Sequence, residues 1–98
     1  MYKAHGKTVV VSGGAKGIGA AVSRLFSKRG WNVAIGYRSG KAAAEKLAEE
    51  LSASGAGAAA IFADLSDMNG AETLRAGVKA VFGEADVLVN NAGSCEYG

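Results

Sequence analysis

The sequence predicts an α/β domain: a parallel sheet wound with helices, in the chain order β-α-β-α-β-α-β. Three observations carry that expectation. Four short apolar runs, at 8–12, 32–37, 58–63 and 86–90, alternate with segments whose apolar residues recur at helical spacing. The first run, TVVVS, is β-branched along its length, as a strand buried on both faces requires. It passes directly into a glycine cluster and then into an amphipathic helix.

The elements follow in order. After the strand at 8–12, the residues Ile18, Ala21, Val22, Leu25 and Phe26 repeat at i, i+3, i+4, i+7, i+8 and predict the inward face of the first helix. Lys28-Arg29-Gly30 closes it, with cations at the negative end of the helix dipole and a glycine at C′. Residues 32–37 form the second strand, entered past Trp31. Ser39 is the expected cap of a second helix with Ala44, Leu47, Ala48 and Leu51 inward. The alanine-rich run 58–63 has helical propensity, but its length, Gly55, Gly57 and its place in the alternation make it the third strand. Ser66 or Asp67 is expected to open a third helix, with Leu74, Val78, Val81 and Phe82 inward and Gly83 at its end. Residues 86–90 form the fourth strand.

Composition narrows the function classes. With 98 residues the chain holds one small domain, and 49% hydrophobic with 20% charged residues argues against disorder. Fifteen glycines without a proline point to tight turns and close backbone approaches. The net charge of +2 is spread along the chain, so no basic patch for nucleic acid or membrane stands out. A lone cysteine, Cys95, excludes an intramolecular disulfide, and with a lone histidine, His5, it cannot build a four-ligand zinc site. Neither a signal-peptide core nor an apolar stretch of about 20 residues is present, so a cytoplasmic chain is expected. His5 reads as a solvated side chain, Trp31 as packing where the second strand begins, and Cys95 as no nucleophile.

Four parallel strands make only the front portion of a doubly wound sheet, and the apolar fourth strand would be left with an open edge. Residues 1–98 are therefore expected to be the front part of a larger protein, truncated after the fourth strand. Such a chain should be marginally folded or self-associate.

The chemistry concentrates at the carboxyl ends of the strands. Ser12-Gly13-Gly14-Ala15-Lys16-Gly17-Ile18-Gly19 carries glycines in a G-x-x-x-G-x-G spacing between strand and helix. Such a turn offers free helix N–H groups and the positive dipole end to an anion. Gly13 would permit the sharp turn, Gly17 the approach of a pyrophosphate and Gly19 close helix packing; a ligand-free glycine turn is the alternative. No P-loop can be read here. After the second strand, Tyr37-Arg38-Ser39 contains no acid for a ribose 2′-hydroxyl. Arg38 and Lys16 could instead face a 2′-phosphate with Ser39 adding a hydroxyl, which favours NADP(H) over NAD(H), unless Arg38 is only a solvated loop cation. Asp64-Leu65 could accept from an adenine amino group or cap the following turn. Asn90-Asn91-Ala92-Gly93 ends the fourth strand at the switch point of the sheet, where asparagine can bridge strands and Ala92-Gly93 leaves room for a ribose.

Together, Gly13-Gly14-Ala15-Lys16-Gly17-Ile18-Gly19, Asp64-Leu65 and Asn90-Asn91-Ala92-Gly93 resemble the short-chain dehydrogenase/reductase family from Lys7 to Gly93. The 3-oxoacyl-(acyl-carrier-protein) reductase type looks nearest, with carbonyl and sugar-alcohol dehydrogenases also similar. The resemblance implies a Rossmann-type fold and NADP(H) as cofactor. It also implies cofactor contacts from the glycine loop, from Tyr37, Arg38, Ser39, Asp64 and Leu65, and from Asn91, Ala92 and Gly93. The implied partner is a small carbonyl/alcohol substrate, reduced or oxidised by hydride transfer in a parent that is a homo-oligomer.

Departures from the family pattern matter as well. Ala15 stands where Ser or Thr is common. The family's catalytic Ser, Tyr-x-x-x-Lys and helix-borne Asn lie downstream of the Asn-Asn-Ala-Gly motif and have no counterpart among the 98 residues. Tyr37-Arg38-Ser39-Gly40-Lys41 matches Tyr-x-x-x-Lys by spacing but falls at the adenosine end, so no catalytic residue is assigned. Glu96 and Tyr97 belong to a loop that the full fold would use near substrate. Two other readings stand beside the enzyme: a stand-alone nucleotide-binding module, and an inactive truncated fragment. By itself the chain is expected to show no carbonyl reduction with NADPH, because no positioned proton donor is at hand.

Overall fold

The computed structural model describes residues 7–13, 17–64 and 68–90, with Asn90 described through its backbone. Its elements are β1 (Thr8–Ser12), α1 (Gly17–Lys28), β2 (Asn32–Tyr37), α2 (Lys41–Ala53), β3 (Ala58–Phe62), α3 (Gly70–Phe82) and β4 (Val87–Asn90). All strands are parallel in the order β3-β2-β1-β4, a Rossmann-type half-sheet as the sequence predicts. The parallel register aligns Val9 with Val33 and Val87, and Ser12 with Gly36 and Asn90.

β1 lies between β2 and β4 and is buried over all five residues. Strand alternation splits its valines between two layers. Val9 and Val11 join Val33 and Ile35 under α1 and α2, against Ala44, Leu47 and Leu51. Val10 joins Ala34 under α3, against Leu74 and Val78. A strand covered on both faces has no polar side to spare, which is why TVVVS lacks the usual polar alternation.

α1 ends as the sequence implies. Gly30 adopts φ 87°, its N–H donates to the Ser27 carbonyl at 3.0 Å and the Trp31 N–H donates to Phe26 O at 3.1 Å. This is a Schellman motif, and the Phe26 and Trp31 rings seal it edge to face at 4.9 Å. Lys7 Nζ sits 5.5 Å from the Trp31 ring centroid, completing the packing where β2 begins.

The inward face of α1 differs from expectation. Gly19, Ala20, Ser23 and Ser27 are buried, Val22 and Phe26 are half-buried, and Ile18 and Leu25 are 75% and 49% exposed. The helix rolls its small residues onto the sheet because they let its axis approach the valines of β1 and β2. Ser23 can join them because its hydroxyl donates to the Gly19 carbonyl at 2.8 Å.

α2 buries Ala44, Leu47, Ala48 and Leu51 as expected, but its cap is Gly40 at φ 78°, not Ser39. Glycine reaches that left-handed conformation without strain, leaving Ser39 one residue too early to cap. On the outer surface the Arg24 guanidinium of α1 pairs with Glu50 of α2 at 2.9 Å. The hydrogen bond from Arg24 holds the Glu50 carboxyl below its ordinary range.

α3 begins at Gly70 behind Asn69 rather than at Ser66 or Asp67, which lie outside the described residues. Leu74 and Val78 are buried and Phe82 packs on the core, but Val81 is 47% exposed. Its orientation is set by glycine contacts. A Cβ on Gly77 would stand 2.7 Å from Ile61 Cγ2 of β3, and one on Gly36 would stand 3.3 Å from the Leu74 methyls. α3 therefore lies on β2 and β3 at a distance only glycine allows. β3 itself ends at Phe62, one residue short of the predicted run.

β4 is joined to β1 by a reciprocal clamp. The Thr8 N–H donates to Asp86 Oδ2, and the Asp86 N–H donates to the Thr8 carbonyl, both at 2.8 Å. Among the described residues β4 pairs with β1 alone, and Leu88 is 64% exposed. Beside it a groove of about 460 Å³ opens between β4 and α3, lined by Val10, Leu74, Val78 and Leu88.

Two outcomes are expected. Gly77→Ala should lower stability by about 1 kcal/mol, the overpacking against Ile61 exceeding the gain in helix propensity. Urea denaturation checks this, and a midpoint at or above wild type contradicts it. The 98-residue chain should also self-associate through the edge of β4 that no described strand pairs, and through its apolar flank. Light scattering across a micromolar concentration series reads this directly, and a monodisperse monomer throughout contradicts it.

Candidate functional site at the carboxyl edge of the sheet

A parallel sheet brings every strand's carboxyl end to one edge, and the order β3-β2-β1-β4 puts the switch point between β1 and β4. Ser12 ends β1 there, level with Gly36 on one side and Asn90 on the other. The Ser12 hydroxyl donates to the Val89 carbonyl at 3.4 Å, a long contact that ties the two strand ends.

The glycine loop starts from this point. Gly13 takes φ 69°, turning the chain sharply, and its N–H donates to the Gly36 carbonyl at 2.9 Å. Gly17 opens α1 at φ 50°, and a Cβ built on it would meet nothing within 4 Å. Gly17 is thus required by backbone conformation, and it is exposed. The first turn of α1 holds no acidic residue to oppose an anion at the positive end of the helix. Gly19 is buried against the sheet, in keeping with the close packing expected of it. Ile18, the neighbour of both, points its apolar side chain outward at the mouth of the loop, 75% exposed. Gly14, Ala15 and Lys16 lie outside the described residues.

The second group lies at the end of β2. Tyr37 is half-buried, whereas Arg38 and Ser39 are exposed in the short link to Gly40. Arg38 makes no ion pair with any other described residue, so its guanidinium is available. The Tyr37 ring packs edge to face on Phe62 at 5.8 Å. Lys41, four residues on, is exposed at the start of α2. Asp64 follows β3 and is half-buried, on the same edge of the sheet. Leu65, Asn91, Ala92 and Gly93 lie outside the described residues.

Three participants escape a reading by motif. Gly36 supplies the carbonyl that anchors Gly13, Gly40 supplies the left-handed cap, and Phe62 carries a ring that is 55% exposed. The parallel register was the available signal for the first, since residues level with the glycine loop must be small. Among the described residues no cluster of His, Cys, Asp or Glu could hold a metal ion, and no helix is long and apolar enough to cross a membrane.

Among the described residues, the turn at Gly13 and the start of α1 at Gly17 offer a place for a phosphate-bearing ligand, and Arg38 offers a cation for a second anionic group. Comparison with known proteins gives the family. The family model described as short chain dehydrogenase matches residues 7–97. The chain belongs to the short-chain dehydrogenase family. Within that family it is 45% identical over 94 residues to the L-rhamnose 1-dehydrogenase (NAD(P)(+)) of Azotobacter vinelandii, covering 93% of this chain and 37% of that protein. It is 38% identical over 87 residues to the 3-oxoacyl-(acyl-carrier-protein) reductase of Staphylococcus aureus, covering 89% of this chain and 35% of that one. A blue fluorescent protein from a metagenomic library, crystallised in complex with NADPH, superposes with a TM-score of 0.84 at 40% identity, over 89% of this chain and 36% of that chain. The chain thus spans about a third of the length of the short-chain dehydrogenases it matches.

Proposed function

We propose that residues 1–98 are the NADP(H)-binding part of an oxidoreductase that moves hydride between the nicotinamide and a carbonyl/alcohol pair. The observation that carries this reading is Gly17. It is left-handed, exposed and placed at the acid-free first turn of α1, on the carboxyl side of β1. A helix N-terminus in that place suits a pyrophosphate.

In this reading Gly13, Gly14, Ala15, Lys16, Gly17, Ile18 and Gly19 hold the phosphates and the adjoining ribose. Tyr37, Arg38 and Ser39 take the adenosine ribose, with Arg38 first and Lys16 second on its 2′-phosphate. Asp64 and Leu65 take the adenine. Asn91, Ala92 and Gly93 complete the crevice beside β1. The nicotinamide supplies the hydride when it is bound; the chain's own part is to bind and orient the dinucleotide, and none of its 98 residues is assigned a catalytic role. The NADPH complex of the metagenomic protein supports the choice of cofactor.

A 3-oxoacyl thioester is the proposed carbonyl substrate of the whole protein, supported by the staphylococcal reductase. A sugar is the second reading, supported by the higher identity to the rhamnose dehydrogenase.

Calorimetric titration of NADP+ and NAD+ into the protein and its Arg38→Asp variant tests the cofactor assignment. A charge-assisted contact to the 2′-phosphate contributes about 1.5–3 kcal/mol, so the preference for NADP+ should fall at least about tenfold in the variant. An unchanged ratio overturns the role of Arg38.

A further inference from the structure

We propose that the Tyr37–Phe62 ring pair is a positioning element that sets the direction in which Arg38 leaves the sheet, and so governs selection for the 2′-phosphate. The inference rests on the cofactor reading above. Tyr37 and Phe62 are the last residues of β2 and β3, and the parallel register makes them direct partners. Their rings meet edge to face, with centroids 5.8 Å apart and an interplanar angle of 70°.

Phe62 remains 55% exposed in this contact. Burial alone explains little of its presence there, because much of its apolar surface stays in water. What the ring does is hold Tyr37 laterally. The backbone holds Tyr37 as well, since its carbonyl accepts from the Ala63 N–H at 2.9 Å. Tyr37 is therefore fixed through both its ring and its carbonyl.

The chain then crosses Arg38, Ser39 and Gly40 before α2 begins at Lys41. The far side of this link is also fixed, for Gly40 sits at φ 78° and its carbonyl accepts from the Ala44 N–H at 3.0 Å. Two residues between two fixed points leave few paths for the backbone. A change in how Tyr37 is held must be taken up at Arg38 and Ser39, both of which are exposed. Arg38 is the residue whose placement distinguishes a phosphate from a hydroxyl, so Phe62 acts on selectivity through Tyr37 without touching the ligand.

Adenosine 2′,5′-bisphosphate and 5′-AMP probe this without any hydride chemistry, because they differ only in the 2′-phosphate. Their dissociation constants would be measured on the protein and on Phe62→Ala, Phe62→Leu, Phe62→Tyr and Arg38→Asp. Loss of the ring in Phe62→Ala should lower the preference for the bisphosphate about 3- to 10-fold while leaving 5′-AMP binding nearly unchanged. Phe62→Leu, which keeps apolar bulk but no ring, should show the same fall and guards against a folding defect in the alanine variant. Phe62→Tyr, which keeps the ring, should retain the wild-type preference. If Phe62→Ala and Phe62→Leu keep the preference while Arg38→Asp loses it, the positioning role is overturned and the cofactor reading stands. An equal loss of both ligands also overturns it, since that is what a purely structural role would give. If Arg38→Asp itself keeps the preference, the cofactor reading fails and this inference fails with it.

Discussion

β1 is paired on both edges and buried on both faces, and its carboxyl end is the point from which the rest of the molecule is laid out. A strand in that position carries apolar side chains through its middle, keeps its polar ones, Thr8 and Ser12, at its two ends, and on reaching the edge turns into a helix that packs back on the sheet. Gly13 makes the turn, and its N–H is held by the Gly36 carbonyl of the neighbouring strand. The same requirement gives α1 its small inward face of Gly19, Ala20 and Ser23, because a helix beginning so close to its strand has room for little else.

From that constraint the site follows. Once α1 starts against the end of β1, the N–H groups of its first turn gather at the sheet edge, beside the exposed Gly17. The end of β2 lies alongside because Ser12 and Gly36 are register partners, which brings Arg38 to the same edge. The glycines under α3 work toward the same end from the opposite face. Gly36 accommodates Leu74 and Gly77 accommodates Ile61, so α3 is seated closely on β2 and β3.

Much of this was legible in the sequence, for identifiable reasons. Buried parallel strands announce themselves as continuous apolar runs, so β1 and β2 were legible to the residue; β4, apolar though partly exposed, and β3, despite its alanines, were legible within a residue. The Schellman close at Gly30 and the inward face of α2 were readable because glycine and leucine there have one physical role each. The inward face of α1 was not. Its larger residues Ile18 and Leu25 fit a helical stripe, but small residues won the interface because distance to the sheet, not hydrophobicity, set the choice. The cap of α2 was missed for a related reason: serine is the commoner cap, yet the backbone here takes a left-handed turn that favours Gly40. At the site, Gly13 turns the chain sharply at φ 69° as its place suggested, whereas the positive φ of Gly17 was no part of the role read for it. The Tyr37–Phe62 contact joins residues that only sheet register brings together, so no local pattern could show it.

The central claim is that a dinucleotide lies across the carboxyl end of β1 with its pyrophosphate at the start of α1. Amide chemical-shift mapping during titration with NADP+ tests it most directly, because each glycine of the loop reports separately. The account predicts the largest shifts at the amides of Gly13, Gly17, Ile18 and Gly19, with Arg38 responding to NADP+ more than to NAD+. Saturable shifts confined to the groove between β4 and α3, with the loop amides unmoved, would contradict it.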